Sequence, residues 1–293
     1  MKIAVMTDTN SGVTIEEGKR DGIYVLPMPV IVDGESYLEG ISINHEQIYK
    51  ALQEDREVVS SQPSPADLML MWDEILKEGY EEIVYIPMTS GLSGSFSTAT
   101  QFAKEYDGKV FVVDNHRISM TLLDSVYDAK YMAGKGMRGE EIKDALEAAA
   151  RQSDIYITIQ TLKHIVKSGR ITAAGAAIAT VINIKPVLKI EGGKLDAFAK
   201  GRGMKACESK MLAAIQKDLE GKYAGIPKEK IRIGIAGTFE HKEDEEAWIA
   251  KVRAAFPEYD TQYKPLACSI ACHIGANAAG TAIGVVERPI SVD

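Results

Sequence analysis

Cysteine is scarce in this chain: Cys207, Cys268 and Cys272 are the only three in 293 residues. An odd, small number in a long sequence builds no disulfide framework. Long apolar runs are missing, so no segment reads as a bilayer span. Basic charge is in deficit: 34 Lys and Arg face 42 Asp and Glu, a net charge of −8. That balance argues against nucleic acid as partner, because phosphate backbones need basic patches. It equally disfavours an anionic membrane surface. The opening MKIAVMTDTN meets polar residues too soon for a secretory signal, and the expected compartment is the cytoplasm.

What is present fits a soluble globular protein, with 45% hydrophobic and 26% charged residues. The length exceeds what one core usually serves, so two domains are expected, 1–153 and 154–293. The first half alternates strand and helix signals. Strands are expected at Lys2–Thr7, Tyr24–Val32, Glu82–Pro87 and Lys109–Val113. Helices are expected at Asn44–Leu52 (with Ser42 as a possible cap), Ser64–Glu78, Ser95–Tyr106, Arg117–Gly134 and Gly139–Ser153. Strand, crossover helix, strand implies a parallel sheet with helices on both faces. Ligands of such sheets sit beyond the carboxyl ends of the strands.

The second half reads as six strands with helices packed on them, a mixed or mostly antiparallel sheet. Strands are expected at Asp154–Gln160, Lys185–Ile190, Lys194–Lys200, Lys230–Ala236, Asp260–Leu266 and Gly280–Val286. Glu191-Gly192-Gly193 is a hairpin signal. Helices are expected at Leu162–Lys167, closed by Gly169, and at Ala173–Ile182, Met204–Leu219 and His241–Phe256. The class is α/β.

The segment EEIVYIPMTSGLSGSFSTAT, Glu81–Thr100, is the most informative. A buried strand runs into a serine- and glycine-rich turn and then a helix start. That arrangement gathers free N–H groups, hydroxyls and the positive helix end, a ready place for an anion. The lysine that a nucleotide-phosphate loop requires is missing between Gly79 and Lys104. The dinucleotide fingerprint is missing too: Gly201-Arg202-Gly203 lacks its final glycine. Gly91-Leu92-Ser93-Gly94-Ser95 approaches a nucleophile elbow but ends in serine instead of glycine.

Other polar groups fall where they can join this turn. Asp8-Thr9-Asn10-Ser11 follows the first strand, and Ser60-Ser61-Gln62-Pro63-Ser64 precedes a helix. Arg170 stands just past the helix-closing Gly169, and His273 lies among small residues. A planar guanidinium there can meet a carboxylate or phosphate, or simply complement the helix dipole. Serines alone also serve as caps and turn formers. Cys268, Cys272 and His273 offer at most three ligands, so buried thiols are the better reading than metal.

Asp8, Ser61-Gln62-Pro63-Ser64, Ser90-Gly91-Leu92-Ser93-Gly94, Ser168-Gly169-Arg170 and His273 occur in an order, and over nearly the whole chain, that resembles the DegV family. These are bacterial fatty-acid-binding proteins that serve as acyl-carrier subunits of fatty acid kinase. The resemblance implies a DegV-like fold of two α/β domains with a fatty acid, palmitate-, stearate- or oleate-like, in a tunnel between them. It implies that Ser60 or Ser61, Ser93, Gly94, Arg170 and His273 hold the carboxylate, with Asp8, Gln62, Ser90 and Ser95 supporting the loops. It further implies no catalytic residue, metal or cofactor in this chain, since nucleotide and metal belong to an ATP-dependent kinase partner that makes the acyl phosphate. The sequence departs from the family at Ser60-Ser61, where Thr-Ser is usual, at Asp8-Thr9-Asn10, where Asp-Ser-Thr/Ser is usual, and at Gly275-Ala276-Asn277, where Gly-Pro-Gly is usual. The alternative function is a serine-dependent hydrolase or acyl-transfer enzyme on a small carboxylate or ester, with Ser93 as nucleophile.

Overall fold

The structure, a computed structural model, describes residues 2–177, 184–190 and 194–290. It opens with β1 (Ile3–Asp8), α1 (Ile15–Asp21) and β2 (Ile23–Leu26), the two strands lying parallel. The chain then leaves that sheet. β3 (Pro29–Val32), β4 (Glu35–Leu38), α2 (His45–Gln53) and β5 (Val58–Ser60) follow, with the strands in a small antiparallel sheet of order β4-β3-β5. α3 (Pro65–Lys77), β6 (Glu82–Ile86), α4 (Ser95–Ala103) and β7 (Val110–Val112) complete the first sheet, which is parallel with order β2-β1-β6-β7. The expected single strand Tyr24–Val32 is therefore two strands in different sheets. Pro27 has no N–H to give a ladder, and Met28 N–H turns instead to Thr9 Oγ1, 3.2 Å away.

Two helices, α5 (Ser119–Gly134) and α6 (Gly139–Ala148), lead to the second domain. Its elements are β8 (Ser153–Thr158), α7 (Lys163–Ser168), α8 (Ala173–Ala177), β9 (Ile184–Ile190), β10 (Leu195–Arg202), α9 (Met204–Glu220), β11 (Ile231–Gly237), α10 (Lys242–Ala255), β12 (Asp260–Pro265), α11 (Cys268–Ile274) and β13 (Ala279–Val285). The strands form one mixed six-stranded sheet of order β10-β9-β8-β13-β11-β12. All neighbours are antiparallel except β11 and β12. The expected hairpin turn at Glu191-Gly192-Gly193, and the expected helix beyond Ala177, fall outside the described residues.

Local chemistry accounts for the helix starts. Ser64 Oγ accepts from Asp67 N–H at 3.1 Å, and Pro65 occupies the first helical position of α3, where its missing N–H costs nothing. Asn44, not Ser42, caps α2: its Oδ1 accepts from Gln47 N–H while Gln47 Oε1 accepts from Asn44 N–H, a reciprocal box. Thr14 and Glu17 do the same for α1.

The two domains share a core. α5 is buried around most of its circumference because it lies between both sheets. Val5, Val84 and Ile86 of the parallel sheet, Leu122, Leu123 and Val126 of α5, and Ile157, Leu188 and Ala236 of the six-stranded sheet form one apolar cluster. The other face of the larger sheet packs Tyr156, Ile233 and Ile235 against Met211, Ile215 and Trp248 of α9 and α10. A buried ionic group backs α5. Arg288 reaches Asp124 at 2.6 Å and Asp128 at 2.7 Å, and Arg232 reaches Asp260 at 2.7 Å.

Candidate functional site

The carboxyl ends of β1 and β6 deliver two polar turns to the same edge of the parallel sheet, and the end of β5 delivers a third. The first turn begins at Asp8, which is fully buried. Its Oδ1 accepts from Asn10 N–H at 2.9 Å and Asn10 Nδ2 at 3.0 Å, and its Oδ2 accepts from Met88 N–H at 3.0 Å. Asp8 thus ties the β1 turn to the β6 turn. Burial pushes its carboxyl up to about 6, although those N–H donors pull the other way. Asn10, two residues on, faces the cavity.

The serine turn after β6 folds on itself. Ser93 Oγ and Ser95 Oγ lie 2.8 Å apart, and Ser95 N–H donates to Ser93 Oγ at 3.1 Å. A Cβ at Gly94 would lie 2.8 Å from Gln62 Oε1, so the Gln62 amide packs directly over this glycine. Gln62 in turn donates to Thr98 Oγ1 at 3.1 Å, which clips the β5 turn to α4. Ser90 is exposed and lies with Gly94 in a shallow outer groove, away from the main cavity.

The second domain adds two groups. α7 ends where the sequence placed it, at Gly169 in the left-handed region, φ 69°. Arg170 follows, with its Nη1 donating to Ser168 O. α11 carries His273, whose Nε2 lies 2.8 Å from Ser60 Oγ. Helical spacing splits α11 into two faces. Cys268, Ala271 and Cys272 pack into the small-sheet core, and Ser269, Ile270, His273 and Ile274 face the cavity. The cysteines are buried apolar filler, and burial pushes the Cys272 thiol up to about 12. Gly275 closes the helix at φ 78°, against His164.

These elements enclose a cavity. Its mouth is polar: Ser60, Ser61, Gln62, Ser93, Arg170 and His273. Its body is apolar, with Met28 and Met88 from the first domain, Ile118 and Met120 entering α5, and Ile155, Ile157 and Ile190 from the larger sheet. The structure therefore brings Ser60, Ser61, Ser93, Arg170, His273 and Gln62 to one opening. Arg170, Leu92 and Ser93 also border the outer groove, which continues over Ser168 and Lys194.

Electrostatics at the mouth are lopsided. His273 is pushed down to about 4 by burial, then by the charges of Arg170 and His164. Its imidazole is neutral at pH 7, able to donate from one nitrogen and accept at the other. With Arg170 fixed in charge, the mouth suits one negative headgroup. A hydrolase would need an imidazole on Ser93 and an acid behind it. The imidazole is on Ser60 instead, with Nε2 2.8 Å from its Oγ.

Sequence reasoning missed several participants. Ser269 stands four residues before His273, on the same helical face, a spacing that marks it. Glu39 has no sequence signal. The apolar wall comes from strands far apart in the chain. Glu39, His45 and Cys268 come within 4.8 Å of one another. Both Glu39 oxygens already accept from Thr9, Cys268 and Ser269, and His45 Nε2 meets Leu266 O at 2.8 Å, so their lone pairs and protons are already engaged. The described part of α8 does not line the cavity: Gly175 packs tightly on Ile171 and the β10 backbone.

Over residues 2–285 the chain matches the family model described as "Uncharacterised protein, DegV family". A DegV domain-containing protein of Staphylococcus aureus is 30% identical over 99% of both chains, and one of Deinococcus radiodurans is 28% identical over 97% of this chain and 98% of its own. Among solved structures, a fatty-acid-binding DegV family protein from Thermus thermophilus superposes with a TM-score of 0.86 at 26% identity, covering 98% of this chain and 100% of that one. A fatty acid binding DegV family protein from Streptococcus agalactiae gives 0.84 at 25% identity, covering 97% and 99%. Among the described residues, no helix is long and apolar enough to cross a membrane.

Proposed function

The chain belongs to the DegV family, and from that premise we propose that it binds a long-chain fatty acid, tail in the apolar cavity and carboxylate at the mouth. The observation that carries this reading is a mainly apolar cavity whose opening gathers hydroxyls, a neutral imidazole and a guanidinium. Fatty-acid binding by the Thermus thermophilus and Streptococcus agalactiae relatives supports it. In this reading Ser93, with either Ser60 or Ser61, donates hydroxyl hydrogens to the carboxylate. The Gly94 N–H, next to Ser93, adds a further donor. His273 donates from Nε2 once it exchanges Ser60 for the ligand, and Arg170 supplies the fixed charge.

The apolar body supplies most of the affinity. Burying ~14 methylenes at ~0.8 kcal/mol each gives roughly 11 kcal/mol before the losses of chain ordering and translational freedom. The headgroup contacts fix direction, leaving the carboxylate at the opening. That position suits presentation to an ATP-dependent kinase that forms an acyl phosphate, with this chain binding and orienting the acyl group and doing no chemistry. We place the domain boundary between residues 153 and 154, one residue into β8. Native mass spectrometry of the purified protein, before and after adding palmitate or oleate, tests the reading. One bound fatty acid per chain is expected, and failure to bind any refutes it.

A further inference from the structure

We infer that Glu39 is a positioning residue of this site: from the first domain it clamps the start of α11, the helix whose other end presents His273. Glu39 follows β4 and is buried. Its Oε1 accepts from Cys268 N–H, and its Oε2 accepts from Ser269 Oγ at 2.8 Å, Thr9 Oγ1 at 2.8 Å and Ser269 N–H at 3.4 Å. One carboxylate thus joins the β1 turn to the first two residues of α11. Ser269 Oγ also reaches Asn10 Oδ1 at 2.9 Å, and Asn10 is tied to Asp8. Both Ser269 and Asn10 face the cavity.

The geometry gives the clamp leverage on the headgroup. His273 follows Ser269 by four residues, about 6 Å along the helix axis and on the same face. α11 has seven residues and no side-chain cap of its own. A negative carboxylate at its first N–H groups both satisfies those donors and opposes the helix dipole. The other polar tether at the mouth is the bond between His273 Nε2 and Ser60 Oγ, which the ligand must compete with. Once that bond is exchanged for the carboxylate, the Glu39 bonds remain as the polar anchor at the start of α11, beside the packing of Cys268, Ala271 and Cys272.

The inference rests on the fatty-acid reading, and the test separates the two. The measurement is the ratio of affinities for palmitate and for hexadecanol, which has the same tail without the charge, by displacement of a fluorescent fatty acid. His273→Ala is expected to lower that ratio about tenfold, one lost charge-assisted bond. Glu39→Gln is expected to lower it by a similar factor, and the double variant by no more than either alone, because both remove one contact. Wild-type protein that binds neither ligand refutes the functional reading and the inference with it. Wild-type binding with an unchanged ratio in Glu39→Gln, both ligands weakening equally, overturns the inference alone and leaves Glu39 as scaffold. Should Glu39→Gln fail to fold by circular dichroism, Ser269→Ala removes only the hydroxyl arm of the clamp. It is expected to lower the ratio by a smaller factor, and an unchanged ratio there overturns the inference.

Discussion

Acidification should destabilise this protein through His273, and replacing that residue should remove the effect. Burial, with the Arg170 and His164 charges, holds the folded imidazole near 4, against an ordinary value of 6.5. The unfolded chain therefore takes up a proton between those two values that the folded chain refuses. Where the unfolded state binds more protons, stability rises with pH, so this contribution is intact above the unfolded value and is lost as the pH falls. The 2.5-unit gap corresponds to about 3 kcal/mol when fully expressed, and to about 2 kcal/mol by about pH 5. Asp8 works in the opposite sense: burial raises it from 3.8 to about 6. Its folded carboxyl binds a proton first, so it gains stability as pH falls through that window and offsets part of the His273 loss. The clean quantity is therefore a difference. Urea unfolding of wild type and His273→Gln at about pH 7.5 and about pH 5 should show the wild type losing about 2 kcal/mol more than the variant. Equal losses in the two proteins, or a His273 ring proton that titrates near 6.5 in the folded state, refute the reasoning.

Affinity should climb with tail length by about fourfold per methylene between ten and sixteen carbons, because each buried CH₂ contributes about 0.8 kcal/mol. Displacement of a fluorescent fatty acid measures this, and a flat series would place the tail outside the cavity. Ser93→Ala should weaken fatty-acid binding by about 1–3 kcal/mol, the worth of one bond to a charged group. Calorimetry checks it, and unchanged affinity and headgroup pose remove Ser93 from the carboxylate site. Arg288→Ala should destabilise the fold by up to about 3–5 kcal/mol, because it leaves buried Asp128 without its ion-pair partner and Asp124 with only the longer contact to Arg232 at 3.4 Å. Urea unfolding reads that loss, and a change within about 0.5 kcal/mol would show that water enters the ionic group.

The sequence by itself determined the punctuation and the polar vocabulary of this protein. Ser64, Pro65 and Asp67 marked the start of α3, and Gly169 marked the end of α7, because caps and left-handed positions act within a few residues. Ser61, Ser93, Arg170 and His273 were legible for a different reason: their order along the chain matched a family. Only the tertiary structure decided what these groups face. Tyr24–Val32 read as one apolar strand, and Pro27 split it between two sheets. The elbow-like turn offers Ser93 as a nucleophile, yet the fold sets the His273 imidazole on Ser60, because α11 packs against the small sheet that ends there. Glu39 carries no signal in the sequence, and only the second domain, by laying α11 across it, gives it Cys268 and Ser269 as partners. The cavity wall draws on Met28, Met88, Met120, Ile155 and Ile190, side chains that local periodicity marks only as buried. Caps and turns are short-range and can be read along the chain. A binding cavity is a long-range object, set by which buried faces the topology leaves incompletely filled.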